Sequence, residues 1–173
     1  MCKCYEHAIV ITNRALVNGD FLEQLQKVSQ VHPHALILRE KDLPDAEYEK
    51  LAAKVLEIYK TAGIQVFLHS RMEIAERLGC ENIHLSISVL QDLSDVWRDA
   101  LTTNFKEISV SCHSMEDVEL AVKSGATQIV LGTIFETECK KGLKGRGLEF
   151  VREICANCPV PVYAIGGINE ERL

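Results

Sequence analysis

The chain has 173 residues, 47% apolar and 25% charged, with 19 Lys and Arg against 25 Asp and Glu for a net charge of −6. That composition belongs to a globular domain able to bury its own core, and it excludes disordered and fibrous classes. The acidic balance argues against a general nucleic-acid or anionic-membrane binder. No apolar run reaches the roughly 18–20 residues that cross a bilayer, and Met1 to His7 holds no apolar signal core, so a cytoplasmic protein is expected.

Strand-like and helix-like runs alternate along the chain. Ala8 to Thr12 reads as strand 1, and helix 1 starts near Asp20, a good N-cap, with Phe21, Leu22, Leu25 and Val28 on one face. Ala35 to Leu38 is strand 2. Helix 2 follows Leu43-Pro44-Asp45 and runs to Ala62, its apolar Leu51, Ala52, Val55, Leu56 and Tyr59 at helical period, with Gly63 closing it. Ile64 to Leu68 is strand 3, and Ser70 is expected to cap a short helix 3 ending at Gly79. Asn82 to Leu85 is strand 4, Leu93 to Leu101 a weaker helix 4, and Glu107 to Ser111 strand 5. Ser114 is placed to cap helix 5, closed by Gly125; Thr127 to Leu131 is strand 6. A long polar loop, Gly132 to Gly147, precedes helix 6 (Leu148 to about Ala156) and strand 7 (Val160 to Ile165).

Strands this continuously apolar are buried on both faces, as in parallel sheets, and seven β/α alternations imply right-handed repeats. There is no Gly-rich turn after strand 1, as a doubly wound dinucleotide fold would have. Polar residues instead recur just past the strands. The reading is a single-domain TIM (β/α)8-type barrel over 1–173, with seven β/α units evident and the eighth missing from the chain, apparently by truncation after strand 7. Strands 1 and 7 are then expected to carry unpaired edges.

In such a barrel, chemistry gathers where the strands end at their C-termini. His113, after Val110-Ser111-Cys112, can give and take a proton near neutral pH, although a lone histidine is more often structural. Gly166-Gly167 after strand 7 allows close backbone approach to an anion; alone, the pair is equally a tight turn. Lys140, Lys141, Lys144 and Arg146 sit in a Gly-hinged loop able to close over a phosphate, where the plain alternative is a solvated charge run. Arg39 or Lys41 can reach a carboxylate or phosphate, with Glu40 or Asp42 holding it; a rim salt-bridge network is the plain alternative. His69 and His84 lie on similar rims, His84 reading as a packed or capping group. His32 and His34 are discounted. The seven cysteines read as reduced thiols, preferred over a zinc site built from Cys2, Cys4, Cys155 and Cys158.

Leu38-Arg39-Glu40-Lys41-Asp42, His84-Leu85, Val110 to Ser114, Gly132-Thr133-Ile134-Phe135 with Thr137 and Lys140, and Ala164 to Ile168 occur in order along the chain. With these the sequence resembles the thiamine phosphate synthase / TenI superfamily over its whole length. The resemblance implies a (β/α)8 barrel of thiamin biosynthesis, a phosphorylated thiazole ligand and a homodimer. Synthases of the family join a pyrimidine diphosphate to thiazole phosphate with Mg²⁺. Their metal carboxylates follow strand 3, in an Asn-Asp pair, and strand 4, in a Gly-Gln-Glu-Asp run. Here the aligned stretches read His69-Ser70 and Ser86-Ile87-Ser88-Val89, so the hard oxygen ligands that Mg²⁺ requires are missing. Phe135 to Gly147 and Val110 to Ser114 look closest to TenI, the thiazole tautomerase, which aromatises a carboxythiazole phosphate tautomer without metal or cofactor. That resemblance implies His113 as proton donor and acceptor. Arg39, Lys41, Ser111, Thr137, Lys140, Lys141, Arg146, Gly166 and Gly167 would hold the substrate and its phosphate. Synthase activity, or a regulatory role in binding thiazole phosphate without catalysis, are the alternatives.

Overall fold

The structure is a computed structural model that describes residues 5–137 and 144–172. The chain divides into two compact units, Met1–His84 and Leu85–Leu173.

The first unit carries β1 (Ile9–Ile11), α1 (Phe21–Ser29), β2 (Ala35–Leu38), α2 (Asp45–Ala62), β3 (Gln65–His69), α3 (Met72–Arg77) and most of β4 (Asn82–Ser86), with a 3-10 turn at Arg14–Leu16 after β1. β1 pairs with β2, β2 with β3 and β3 with β4, always in parallel. The second unit carries α4 (Ile87–Gln91), α5 (Asp95–Asn104), β5 (Glu107–Cys112), α6 (Met115–Lys123), β6 (Gln128–Gly132), α7 (Gly147–Asn157) and β7 (Val162–Ile165), with β5–β6 and β6–β7 parallel. Parallel strands in chain order, joined by helices, are the repeat of a TIM (β/α)8-type barrel with seven β/α units; a doubly wound sheet would reverse its order. No described helix is long and apolar enough to cross a membrane.

Local chemistry explains most boundaries. The Asp20 carboxylate accepts from Glu23 N at 2.8 Å to start α1, and the Ser114 hydroxyl accepts from Asp117 N at 3.1 Å to start α6. Gly63, at φ 70° in the left-handed region, closes α2 with its N–H on the Tyr59 and Lys60 carbonyls. Three expectations are corrected. Ser70 does not cap α3: it sits at φ 57° with its hydroxyl buried and unpartnered, and the helix starts after Arg71. A single helix was expected between β4 and β5; α5 takes the place of 93–101, and a second, short helix, α4, precedes it, each with its own serine cap. Ser86 accepts from Val89 N, and Ser94 accepts from Trp97 N. β7 is not sheathed on both faces, because Ala164 is exposed and Ile165 is 42% exposed.

The first unit's core is built on β2, β3 and one face of α2. Leu36, Ile37, Leu38, Phe67 and Leu68 are fully buried, as are Ala52, Val55 and Tyr59. Two tyrosine hydroxyls tie this layer together. Tyr59 donates to the Leu25 carbonyl at 3.2 Å. Tyr48 donates to the Leu38 carbonyl at 2.7 Å and accepts from His69 N at 3.1 Å, joining α2 to the ends of two strands. Burial pushes both phenols up, Tyr59 to about 12, so both stay neutral donors. Tyr48→Phe leaves a buried carbonyl and a buried N–H without a partner. The expected cost is about 1–3 kcal/mol, read as a lower urea midpoint with an unchanged slope. The second unit's core gathers Leu101, Ile108, Val110, Ile129, Leu131 and Ile154.

Candidate functional site

In the second unit, β5 delivers His113 to its C-terminal end, directly before the serine that caps α6. The His113 backbone N–H donates to Asp117 Oδ2 at 2.7 Å, which locks the residue onto the first turn of α6. Its ring Nδ1 lies 2.5 Å from the carbonyl oxygen of Gly132, the last residue of β6. A carbonyl can only accept, so Nδ1 carries the hydrogen in both the neutral and the protonated ring. Nε2 is therefore the nitrogen at which a proton enters and leaves. The side chain is half-buried, with one nitrogen fixed and the other left for a reacting group. Cys112 beside it is no nucleophile: burial pushes its thiol up to about 12, so it carries no thiolate at neutral pH.

The segment after β6 extends the sheet. Ile134 N donates to the Ile165 carbonyl and Phe135 N to the Gly166 carbonyl. On the other side Arg146 N and Gly147 N donate to the Thr133 and Ile134 carbonyls, at 2.8–3.1 Å throughout. The glycines are what let these backbones meet. A Cβ on Gly145 would stand 2.5 Å from Phe135 Cα, one on Gly166 2.6 Å from Thr133 Cγ2, and one on Gly167 2.5 Å from the Glu136 carbonyl oxygen. Gly166 and Gly167 also take φ 105° and 64°, the left-handed side that disfavours other residues. Their carbonyls accept from Phe135 N and from Arg172 Nη1. Among the described residues neither N–H has a hydrogen bond, so two adjacent donors remain after packing is satisfied. Gly167→Ala adds a left-handed penalty of about 1–2 kcal/mol to the clash with Glu136. The expected readout is a lower urea midpoint than that of the unaltered protein.

Arg146 is exposed, stacks over Phe150 at 5.0 Å, and helps the local backbone and the Ser114 hydroxyl to hold the Glu116 carboxyl below the usual range. Its charge is felt at Glu116 in the first turn of α6, the helix that His113 precedes. Thr137 and Ser111 are half-buried and both are engaged in interactions. Lys140 and Lys141 lie outside the described residues, as do Cys2, Cys4 and Cys139.

The first unit presents its own polar strand ends. Glu40, only 3% exposed, accepts from Arg14 N with both oxygens at 3.1 Å and from Arg14 Nη1 at 3.2 Å. Arg14 also grips Asp42 with two bonds of 2.6 Å. The sequence suggested that these carboxylates hold Arg39 or Lys41; in the structure both grip Arg14. They consume Arg14 and pin the turn after β1 to the turn after β2. Arg39 is half-buried with its backbone N–H on the Thr12 hydroxyl at 2.9 Å, and Lys41 is exposed and engaged.

His69 and His84 are 7% and 2% exposed, with ring centroids 5.5 Å apart. Burial first, then Lys41 and Arg39, lowers His69 to about 4; burial, then His69, Arg39 and Lys41, lowers His84 to about 3. His84 is packed, as expected. The pairing of the two rings under two cations was not foreseen, and matching the strand ends in register would have revealed it. At the end of β4, Ser86 caps α4 and its hydroxyl lies 3.0 Å from that of Ser88. Among the described residues no three His, Cys, Asp or Glu side chains are grouped to hold a metal. Cys155 is exposed, and Cys158 is half-buried with its thiol against the Val160 carbonyl.

The family model for thiamine monophosphate synthase, TMP-TENI, matches residues 8–173. The chain belongs to that family. It is 28% identical over 167 residues to the thiamine-phosphate synthase of Clostridium acetobutylicum, covering 96% of this chain and 78% of that protein. It is 30% identical over 169 residues to the thiamine-phosphate synthase of Fusobacterium nucleatum, covering 97% and 79%. The thiamine phosphate pyrophosphorylase of Pyrococcus furiosus superposes with a TM-score of 0.80 at 25% identity, covering 96% of this chain and 78% of that one. These relatives carry the synthase name, so the likeness establishes the family and leaves the choice of branch to the chemistry of the residues.

Proposed function

We propose that this member of the family is a metal-independent thiazole tautomerase that aromatises a carboxythiazole phosphate. The observation that carries the reading is the 2.5 Å bond from His113 Nδ1–H to the Gly132 carbonyl. A tautomer shift removes a proton from one carbon of the substrate and returns one to another, so it needs a single group able to do both. Nε2 of His113 is such a group. The lone pair accepts the proton, Nδ1–H···O=C steadies the imidazolium that forms, and the same Nε2–H then delivers the proton. No oxidation, leaving group or second substrate enters the balance. The unengaged N–H groups of Gly166 and Gly167, with Arg146, Thr137 and the cations Lys140 and Lys141, are assigned to the phosphate.

The names of the relatives favour a second reading, synthase. That reaction expels pyrophosphate and calls on Mg²⁺ to neutralise it, and Mg²⁺ takes hard oxygen donors, chiefly carboxylates. The residues do not fit. β3 ends in His69-Ser70, with the imidazole buried and facing positive charge, and β4 ends in serine hydroxyls used for capping. No synthase step is derived from them.

The test is to incubate the chelator-treated protein with the unaromatised thiazole phosphate and follow the absorbance of the aromatic product. Conversion that does not depend on added metal is expected. No conversion, together with tight binding of the product, would assign the protein to a regulatory role.

A further inference from the structure

The end of α7 carries two cysteines that the proton shift at His113 does not use, in the order Cys155-Ala156-Asn157-Cys158. Both are free thiols; Cys155 is exposed and Cys158 half-buried. Helical geometry sets their separation. Asn157 is the last residue of α7, and Cys158, its C-cap, still donates its N–H to the Ile154 carbonyl at 2.8 Å. The Cα of Cys158 therefore lies on the helical path, three residues beyond Cys155. A rise of about 1.5 Å and a turn of about 100° per residue, on a cylinder of about 2.3 Å radius, place the two Cα atoms roughly 5 Å apart. Side chains three apart also share one helix face. A disulfide asks for Cα atoms about 4.4–6.8 Å apart, so the backbone already meets that condition.

The Cβ atoms need a further adjustment. Three residues apart on a helix they stand about 5–6 Å from each other, against about 3.5–4.5 Å in a disulfide. A gap of about 1 Å closes more readily at a chain end than within a helix, where the hydrogen-bond ladder resists it. This pair sits at such an end. Cys158 leaves the helix at φ −88° and ψ 123°, and Pro159 has no N–H with which to continue it. The turn before it stays closed, because Asn157 Nδ2 donates to the Glu153 carbonyl at 2.8 Å. The Cys158 thiol is engaged with the Val160 carbonyl at 3.4 Å, and a thiol is a weak donor that gives up such a bond easily. The other described cysteines do not compete. Cys80 and Cys112 are 7% and 0% exposed, and burial pushes both thiols up, so neither supplies a reactive thiolate.

We propose that Cys155 and Cys158 form a reversible oxidation site that exchanges with small disulfides of the glutathione class and closes as an internal disulfide. The resting thiols are reduced, as the sequence suggests. The thiolate of Cys155, the accessible member, attacks one sulfur of oxidised glutathione. The glutathione S–S bond breaks, a mixed disulfide forms on Cys155, and one glutathione leaves as a thiolate and is protonated. The thiolate of Cys158 then attacks Cys155 Sγ and expels the second glutathione. Two protein thiols thereby lose two electrons and two protons, and both end on the two glutathione thiols. The closing step is intramolecular between residues three apart, so it outruns attack by free glutathione on the mixed disulfide. The inference is independent of the assignment of His113.

The test equilibrates the reduced protein, without denaturant and free of oxygen, in buffers of rising oxidised-to-reduced glutathione ratio. Remaining thiols are blocked with N-ethylmaleimide, and the peptides are mapped by mass. The expected result is the joint loss of two blockable thiols, Cys155 and Cys158, in one transition, with an internal disulfide in the peptide that spans them. Dithiothreitol should restore both. Cys158→Ser should halt the reaction after its first step, leaving glutathione on Cys155. Cys155→Ser should prevent closure. Neither position is fully buried, and serine is close in size to cysteine, so both variants should keep the fold. A mixed disulfide that persists on Cys155 in the unaltered protein, a cross-link from either cysteine to Cys112 or Cys139, or both thiols still blockable in the most oxidising buffer would overturn the inference.

Discussion

His113→Asn is expected to lower the rate of thiazole tautomer conversion by about 10²–10⁴-fold, the range that one positioned acid/base group supplies. The structural basis is the division of labour between the two ring nitrogens. Nδ1 is committed to the Gly132 carbonyl at 2.5 Å, so removing the imidazole removes Nε2, the one atom that both accepts and returns the proton. The fold should survive. His113 is half-buried, and its backbone bond to Asp117 belongs to the main chain, so α6 keeps its first turn. Binding of the aromatic product should therefore stay within a few-fold, because the phosphate donors are assigned elsewhere. An unchanged conversion rate in a folded variant would remove His113 from the chemistry. Loss of conversion with equal loss of product binding would make it a ligand contact.

The second large effect concerns acid stability and comes from the first unit. His69 and His84 titrate at about 4 and about 3 in the folded chain, and near 6.5 once unfolded. Between those limits the unfolded chain binds more protons, so stability is lost as pH falls. The contribution is complete above about 6.5 and fully lost only below the folded values. At pH 5 the expected loss is about 2 kcal/mol per imidazole relative to pH 7. Urea midpoints at pH 7, 6 and 5 measure it, and His69→Asn should remove roughly half of the slope. The carboxylates Asp42, Glu49 and Glu116, whose values lie below normal, act in a lower pH window and do not confuse the reading. A midpoint that stays level or rises from pH 7 to pH 5 would contradict the buried neutral pair.

Much of this architecture was legible in the sequence because the signals were local. Asp20, Ser114, Gly63 and Gly125 mark helix ends by hydrogen-bonding or backbone conformation within a few residues, and the apolar runs of β2, β3 and β6 need no distant information. Failures came where the deciding partner is remote in sequence or the element is short. α4 spans five residues, too few for a helical period to show. Glu40 and Asp42 are claimed by Arg14, 26 and 28 residues earlier, and no local pattern distinguishes that guanidinium from the adjacent Arg39. Ser70 has the right residue type for a cap and the wrong backbone, because φ 57° turns its hydroxyl away from α3. Gly166 and Gly167 read as an anion-binding turn, whereas the missing side chains are first required by Thr133 and Glu136 packed against them. His113 was legible as a candidate from its place after a strand. The tautomer that gives it a role rests on a carbonyl 19 residues away and became visible only in the fold.

The most direct test offers the protein both chemistries at once. The unaromatised thiazole phosphate and the pyrimidine diphosphate are supplied together with Mg²⁺, and the products are separated and quantified. Accumulation of the aromatic carboxythiazole phosphate with no release of pyrophosphate is expected. Formation of thiamine phosphate with stoichiometric pyrophosphate, at a rate exceeding any tautomer conversion, would contradict it.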